Sequence, residues 1–374
     1  MAPTRGPGNP PRAIIEVSPA YELLLSVLAA FDDDDLDTRD LGAEWVDETR
    51  ARAGEELVAR VRSISGENCD TFTHLAGLVH DTPAPRTVPG FLDHLRATDP
   101  LEIRLHLVQF YARDVRRMTP ASVIRAAVAG DAGARAEFLK TSHPEWPSWR
   151  DFLAMILDRD PEELKAEIVE ILELWAERVW KPESLTIMPI LERDAAAKRE
   201  LQETLPLDRF VTTATNGVEF SPRPGIEWLV LTPSFVNRPL VTYNEFGDTL
   251  LIAYPVADES VTAETDAPPL RLVRLSKALG DEKRLRILRA LTDGEKGLME
   301  LAEMFGVAKT TMHHHLIVLR SAGLISAVVG AKRYRLRDEA VPDVGTLLRA
   351  YLGAPGEPAA VAPPPSRRRT GTTG

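Results

Sequence analysis

Apolar residues recur at helical spacing from about Ile14 to Leu205, and after Pro206 the period changes. Residues 20–31 are apolar on every side, which predicts a helix buried all round, with Ser18 as its N-cap and Pro19 just behind. Trp45, Val46, Leu57, Val58, Val61 and Ile64 share one face and predict an amphipathic helix over 43–64. Further helices are predicted near 91–95, 100–115, 120–128, 132–140, 149–158 and 161–180. The last opens with Asp160-Pro161-Glu162-Glu163: a cap, a proline at the first position, and acids where the helix dipole favours negative charge.

Strands are expected after Pro206. Asn216-Gly217, between 210–215 and 218–221, is a strong hairpin signal because both residues tolerate the positive φ of a tight turn. Further strands are predicted over 226–231, 240–243 and 249–254, with Gly247-Asp248 turning the last pair. Helical spacing returns with Leu272, Leu275 and Leu279, breaks at Gly280-Asp281, and resumes with Leu285, Leu288 and Leu291 up to Asp293-Gly294. Leu298, Leu301, Ala302 and Phe305 mark the next helix. Gly306-Val307 turns the chain into a helix over 309–322, with Met312, Leu316 and Leu319 inward. Gly323 stops it, and Gly330-Ala331 then turns a hairpin with Tyr334 and Leu336 inward and Lys332, Arg333 and Arg335 in solvent. Helix, short turn, helix and basic hairpin is the layout of a winged helix-turn-helix.

The expected fold class is therefore mainly α with minor β (α+β). A disordered tail over 1–12 precedes a helical domain of sensor or dimerisation type over 13–205 and a β-rich segment over 206–257. An acidic, Pro-containing linker over 258–269 leads to the winged helix-turn-helix over 270–352 and a disordered tail over 353–374.

A length of 374 residues suits two or three domains, and 44% hydrophobic residues suffice for packed cores. No run of about 18 apolar residues is present to span a membrane, and the first residues lack the apolar stretch of a secretory signal. The single cysteine, Cys69, excludes an intramolecular disulfide and a cysteine-rich metal site. The expected compartment is the cytoplasm. A net charge of −11 argues against a nucleic-acid partner until it is divided along the chain. Residues 270–337 hold fourteen Lys/Arg against six Asp/Glu, a net of +8, which leaves −19 for the remainder. A basic module on an acidic body is what binding to backbone phosphates needs, because only the docking face must be positive.

In such a module the second helix is slim enough for the major groove, where its first residues reach base edges; flanking cations grip phosphates. Asp281-Glu282-Lys283-Arg284-Leu285-Arg286-Ile287-Leu288, Glu300-Leu301-Ala302-Glu303 and His315-Leu316-Ile317-Val318-Leu319-Arg320-Ser321-Ala322-Gly323-Leu324-Ile325 resemble, in order and spacing, the ArsR family of winged-helix repressors. The resemblance implies a homodimer on an inverted-repeat operator in double-stranded DNA. It places Lys309, Thr310, Thr311, His313 and His314 at bases or nearby phosphates, and Lys332, Arg333 and Arg335 on the wing. Metal-sensing members carry cysteines at positions matching 297–301 and His and Asp ligands in the terminal helix; neither set is present, so metal sensing is not carried over. Ile15-Glu16-Val17-Ser18-Pro19-Ala20-Tyr21-Glu22-Leu23 is similar to the opening of a domain of unknown function fused ahead of this winged helix in actinobacterial regulators.

Other features read as structural. Adjacent histidines on a helix point about 100° apart, so His313, His314 and His315 cannot converge on one ion. DNA contact by the first two and packing by the third is the better account, with an unperturbed pKa near 6.5 making operator affinity mildly pH-sensitive. His74, His80, His94 and His106 show no HExxH spacing and read as structural rather than catalytic. Trp146 and Trp149 could line an effector pocket but read better as packing. The acids at 32–35 lack calcium-loop spacing, Cys69 has no activating cation beside it, and Arg367-Arg368-Arg369 is either a solvated tail or a weak DNA contact.

The expectation is a sequence-specific transcriptional regulator, a homodimeric repressor under an unidentified small-molecule effector, with no catalytic residue, cofactor, metal or membrane association. The alternatives are an enzyme tethered to DNA by the winged helix, or a helical domain that docks a protein partner.

Overall fold

The structure, a computed structural model, describes residues 11–33, 36–66, 70–142, 147–220, 225–261, 268–328, 333–337 and 343–352. The first helix, Pro19–Phe31, buries every residue from Ala20 to Phe31. Two serines are engaged from within. The Ser18 hydroxyl accepts from Ala20 N at 3.2 Å as the cap. Ser26 Oγ accepts from the Trp175 indole at 2.9 Å and donates to Leu23 O at 2.7 Å. Around it pack Glu55–Ser65, Val88–Ala97 and Pro161–Trp175, whose inward faces (Leu57, Val61, Phe91, Leu95, Ile168, Leu172) form the main core. The amphipathic run over 43–64 is two helices rather than one. Gly54 breaks it at φ +89°, a left-handed conformation that glycine adopts without steric cost.

A four-stranded mixed sheet lies beside this core. Strand β1 (Arg12–Ile15), at the chain's start, runs parallel to β3 (Trp228–Ser234), which runs parallel to β5 (Thr249–Pro255). Strand β4 (Thr242–Phe246) completes the order β1-β3-β5-β4, turned antiparallel onto β5 at Gly247-Asp248. Val230, Leu251 and Ala253 face the main core, whereas Leu229, Leu231, Leu250 and Ile252 face a second one. Burial on both faces is why these strands read as unbroken apolar runs rather than alternating ones.

The second face is covered by Lys181–Thr204 and by Leu207–Ala214, and here a sequence expectation is corrected. Residues 210–215 are not the first strand of a hairpin but the end of a helix. Phe210, Val211 and Ala214 pack its inner face on the sheet. Asn216 and Gly217, at φ 52° and 108°, close that helix, with Gly217 N donating to Thr212 O at 2.9 Å. The same left-handed tolerance that suits a hairpin suits a helix C-terminus.

Strand β2 (Val218–Glu219) then leaves for a different sheet. It pairs parallel with β7 (Ile325–Val328), next to β8 (Arg333–Leu336) and β6 (Lys296–Gly297), in the order β2-β7-β8-β6. This is the sheet of the winged module. Its helices are Leu270–Leu279, Glu282–Leu291, Leu298–Phe305, Lys309–Ser321 and the terminal Asp343–Tyr351. Leu275, Ile287, Leu301, Met312, Leu316 and Leu319 lie in its core. No helix among the described residues is long and apolar enough to cross a membrane.

Candidate nucleic-acid interface

The helix Lys309–Ser321 is set by a left-handed Gly306 (φ 61°), which ends Leu298–Phe305 and redirects the chain within three residues. Met312, Leu316 and Leu319 anchor one side, each nearly inaccessible to solvent. Thr310, Thr311 and His313 are exposed on the other, while Lys309 and His314 are half-buried. His315 is buried; burial pushes its pKa below the usual imidazole value, with Asp281 opposing, which suits a neutral packed ring. Desolvation by its surroundings, then the charges of Arg320 and Lys309, lower the His313 pKa against a weaker pull from Asp32.

What the sequence concealed is that the N-terminal part reaches this helix. Its C-terminal half packs on the short turn Leu36–Thr38, leaving Ile317, Val318 and Ser321 buried. A cluster of charges fastens the same seam. Arg274 Nε donates to Asp40 Oδ1 at 3.0 Å, and its Nη2 meets both Asp40 and, at 3.2 Å, Asp258. Arg238 pairs with the same two carboxylates, at 3.3 Å to Asp40 and in a short contact to Asp258. Arg39 joins Asp32 and, at 2.7 Å, Asn237 Oδ1. Of these residues, the sequence singled out only Asp32, and only as part of an acidic run. Arg274 and Asp40 stand 234 positions apart, and neither lies in a motif.

The wing cations are engaged as well. Arg333 lies 3.8 Å from both Glu295 and Glu300 and donates to Glu295 O at 2.6 Å. Arg335 forms a short pair with Glu219 on β2. Lys332 lies outside the described residues. Lys309, Thr310, Thr311 and His313 are thus brought to one end of this helix, His314 is turned into the seam, and Arg333 and Arg335 stand in solvated ion pairs.

The other sequence candidates divide similarly. Trp149 is core, stacked near Phe152 and donating to Ser142 Oγ at 3.1 Å, whereas Trp146, Cys69 and the arginines at 367–369 lie outside the described residues. Asp32 and Asp33 pair with Arg39 and Arg50. No group of three or more metal-ligating side chains occurs among the described residues.

The family model for bacterial regulatory proteins of the arsR family matches residues 281–327, from the cap of Glu282–Leu291 to β7. The HTH-type transcriptional regulator CmtR of Mycobacterium bovis is 35% identical over 94 residues, spanning 80% of that protein and 24% of this chain. CmtR of Mycobacterium tuberculosis matches over the same share. The chain belongs to the arsR family. Most of this arsR-family chain lies outside the match, and no solved structure matches it. The family shows a helix-turn-helix of transcriptional-regulator type at the C-terminus, where Lys309–Ser321 is its second helix.

Proposed function

We propose that this arsR-family regulator binds an inverted-repeat operator as a homodimer, represses transcription, and is released or engaged by a small-molecule effector sensed by its N-terminal part. One observation carries the DNA reading: Thr310, Thr311 and His313 project from the free end of a helix whose opposite side is locked into the core. The lowered pKa leaves His313 neutral at pH 7, so its ring offers one donor and one acceptor to a base edge rather than a charge to a phosphate. Arg333 and Arg335 supply phosphate contacts by exchanging solvated carboxylates for DNA, with Lys332 beside them in sequence.

The dimer reading is supported by the terminal helix Asp343–Tyr351, which packs on Leu270–Leu279 yet leaves Leu348, Tyr351 and the following Leu352 exposed. A second copy burying these side chains would set the two reading helices about 34 Å apart, one turn of DNA. A regulator is favoured over a tethered enzyme because the buried histidines of the N-terminal part, His74 and His106, have structural partners. His74 bonds Leu107 O at 2.9 Å, and His106 stacks on Tyr111 at 4.8 Å. Selection of bound sequences from random duplex DNA by the purified full chain tests the reading. A two-fold symmetric site with half-sites one turn apart is expected; failure to enrich any sequence overturns it.

A further inference from the structure

A cavity of about 520 Å³ lies in the seam between the N-terminal part and the winged module, a volume in the range of small-molecule sites. Leu270, Val273 and Val318 give it apolar walls. Arg39, Arg274, Lys277, Arg284 and His314 line it with basic groups, against the single carboxylate of Asp40.

Most of that positive charge is already committed. Arg39 is held by Asp32 at 2.5 Å and Arg274 by Asp40. Arg284 donates to Ala278 O at 2.9 Å and Lys277 O at 2.6 Å, with Asp281 at 4.0 Å. Lys277 is the exception, with no carboxylate partner among the described residues. One uncommitted cation at the edge of a cavity with an apolar patch of Leu270, Val273 and Val318 favours a singly charged anion with an apolar body. A polyanion would leave charge unmatched, and a neutral molecule would gain no charge-assisted bond from the ammonium.

We propose that this cavity binds a small organic monocarboxylate, its carboxylate on Lys277 and its apolar body between Val273 and Val318, and that this is the effector site. The effector role rests on the regulator reading above; the binding chemistry does not. The occupant would touch the N-terminal segment 38–40 on one side and the reading helix, through His314 and Ser321, on the other. It would therefore bias the spacing between sensor and reader directly, with no relay through either core. By linkage, ligand and operator must change each other's affinity by the same factor, roughly 5- to 150-fold for typical couplings.

The test uses the full chain with 2-naphthoate and its neutral isostere 2-naphthamide, read by titration calorimetry and thermal midpoint. The expected result is saturable naphthoate binding at least about tenfold tighter than the amide, and loss of that preference in Lys277→Glu. Because Lys277 is exposed, the unliganded midpoint of the variant should match wild type. Equal binding of acid and amide, undiminished naphthoate affinity in Lys277→Glu, or no naphthoate binding up to about 10 mM overturns the site. Operator selection without naphthoate binding removes the cavity proposal alone. Naphthoate binding with no selected duplex removes the regulator reading and leaves a ligand site.

Discussion

Arg335 and Arg274 each pair with a carboxylate from the N-terminal part of the chain, yet Arg335 keeps 52% of its side chain exposed and Arg274 only 14%. Their partners differ less, with Asp40 at 10% and Glu219 at 21%. An exposed pair is worth roughly 0–1 kcal/mol, because water competes for both ions and long side chains must be held still. A buried pair stripped of one member leaves an uncompensated charge, at roughly 3–5 kcal/mol. The wing arginines can thus be handed from Glu219 or Glu295 to a phosphate at little cost, whereas the seam arginines act as a fixed joint.

The strongest way to break this contrast is Asp40→Ala, which strips a shared carboxylate from both Arg238 and Arg274. A loss of about 3–5 kcal/mol in urea unfolding is expected. A loss below about 1 kcal/mol would put the seam in the same solvated class as the wing.

Glu22 sharpens the buried side of the comparison. It accepts Phe235 N at 2.8 Å and Val236 N at 2.9 Å, and burial raises its pKa from 4.5 to about 7 despite those bonds. The folded state therefore holds this proton more tightly than the unfolded chain. The stabilisation is complete below pH 4.5 and is lost as pH rises through about 7. Glu22→Gln should flatten the decline in stability between pH 5 and 8, by up to about 3 kcal/mol. A slope equal to wild type would rule out Glu22 as its source.

On the exposed side, His313→Ala should change the selected sequence, at about 1–3 kcal/mol of discrimination at the affected base pair. An unchanged selected sequence would mean that another side chain reads that position. Smallest in stability is Lys332→Ala combined with Arg333→Ala, expected to move the unfolding free energy by less than about 1 kcal/mol. That double variant should weaken all duplexes alike and reduce the salt slope by about two, one for each lost phosphate contact.

The two parts of the molecule also differed in how far they could be read from sequence. The winged module is built from neighbours: Asp281 caps its own helix at Arg284 N, Gly306 turns between adjacent helices, and β7 and β8 follow one another. Such short-range signals survive in a linear reading, which is why the helix Lys309–Ser321 and the turn before it were legible. The N-terminal sheet pairs Arg12–Ile15 with a strand at the far end of the helical part, and no local pattern marks a parallel partner at that distance. Asn216-Gly217 was ambiguous for another reason: one backbone preference serves two structures, and only the packing of Phe210 and Val211 decides between them. The seam was illegible because buried ion pairs depend on how whole elements meet.

Strand β2 has a practical corollary. Among the described residues, Val218 and Glu219 give the outer flank of β7 its neighbour, with Ala327 N reaching Gly217 O at 3.0 Å. A fragment excised at Leu270 would keep its motif and lose that cover, presenting a raw edge of unmet amide and carbonyl groups to any similar edge in solution. Self-association of such a fragment would then report on the cut rather than on the native assembly.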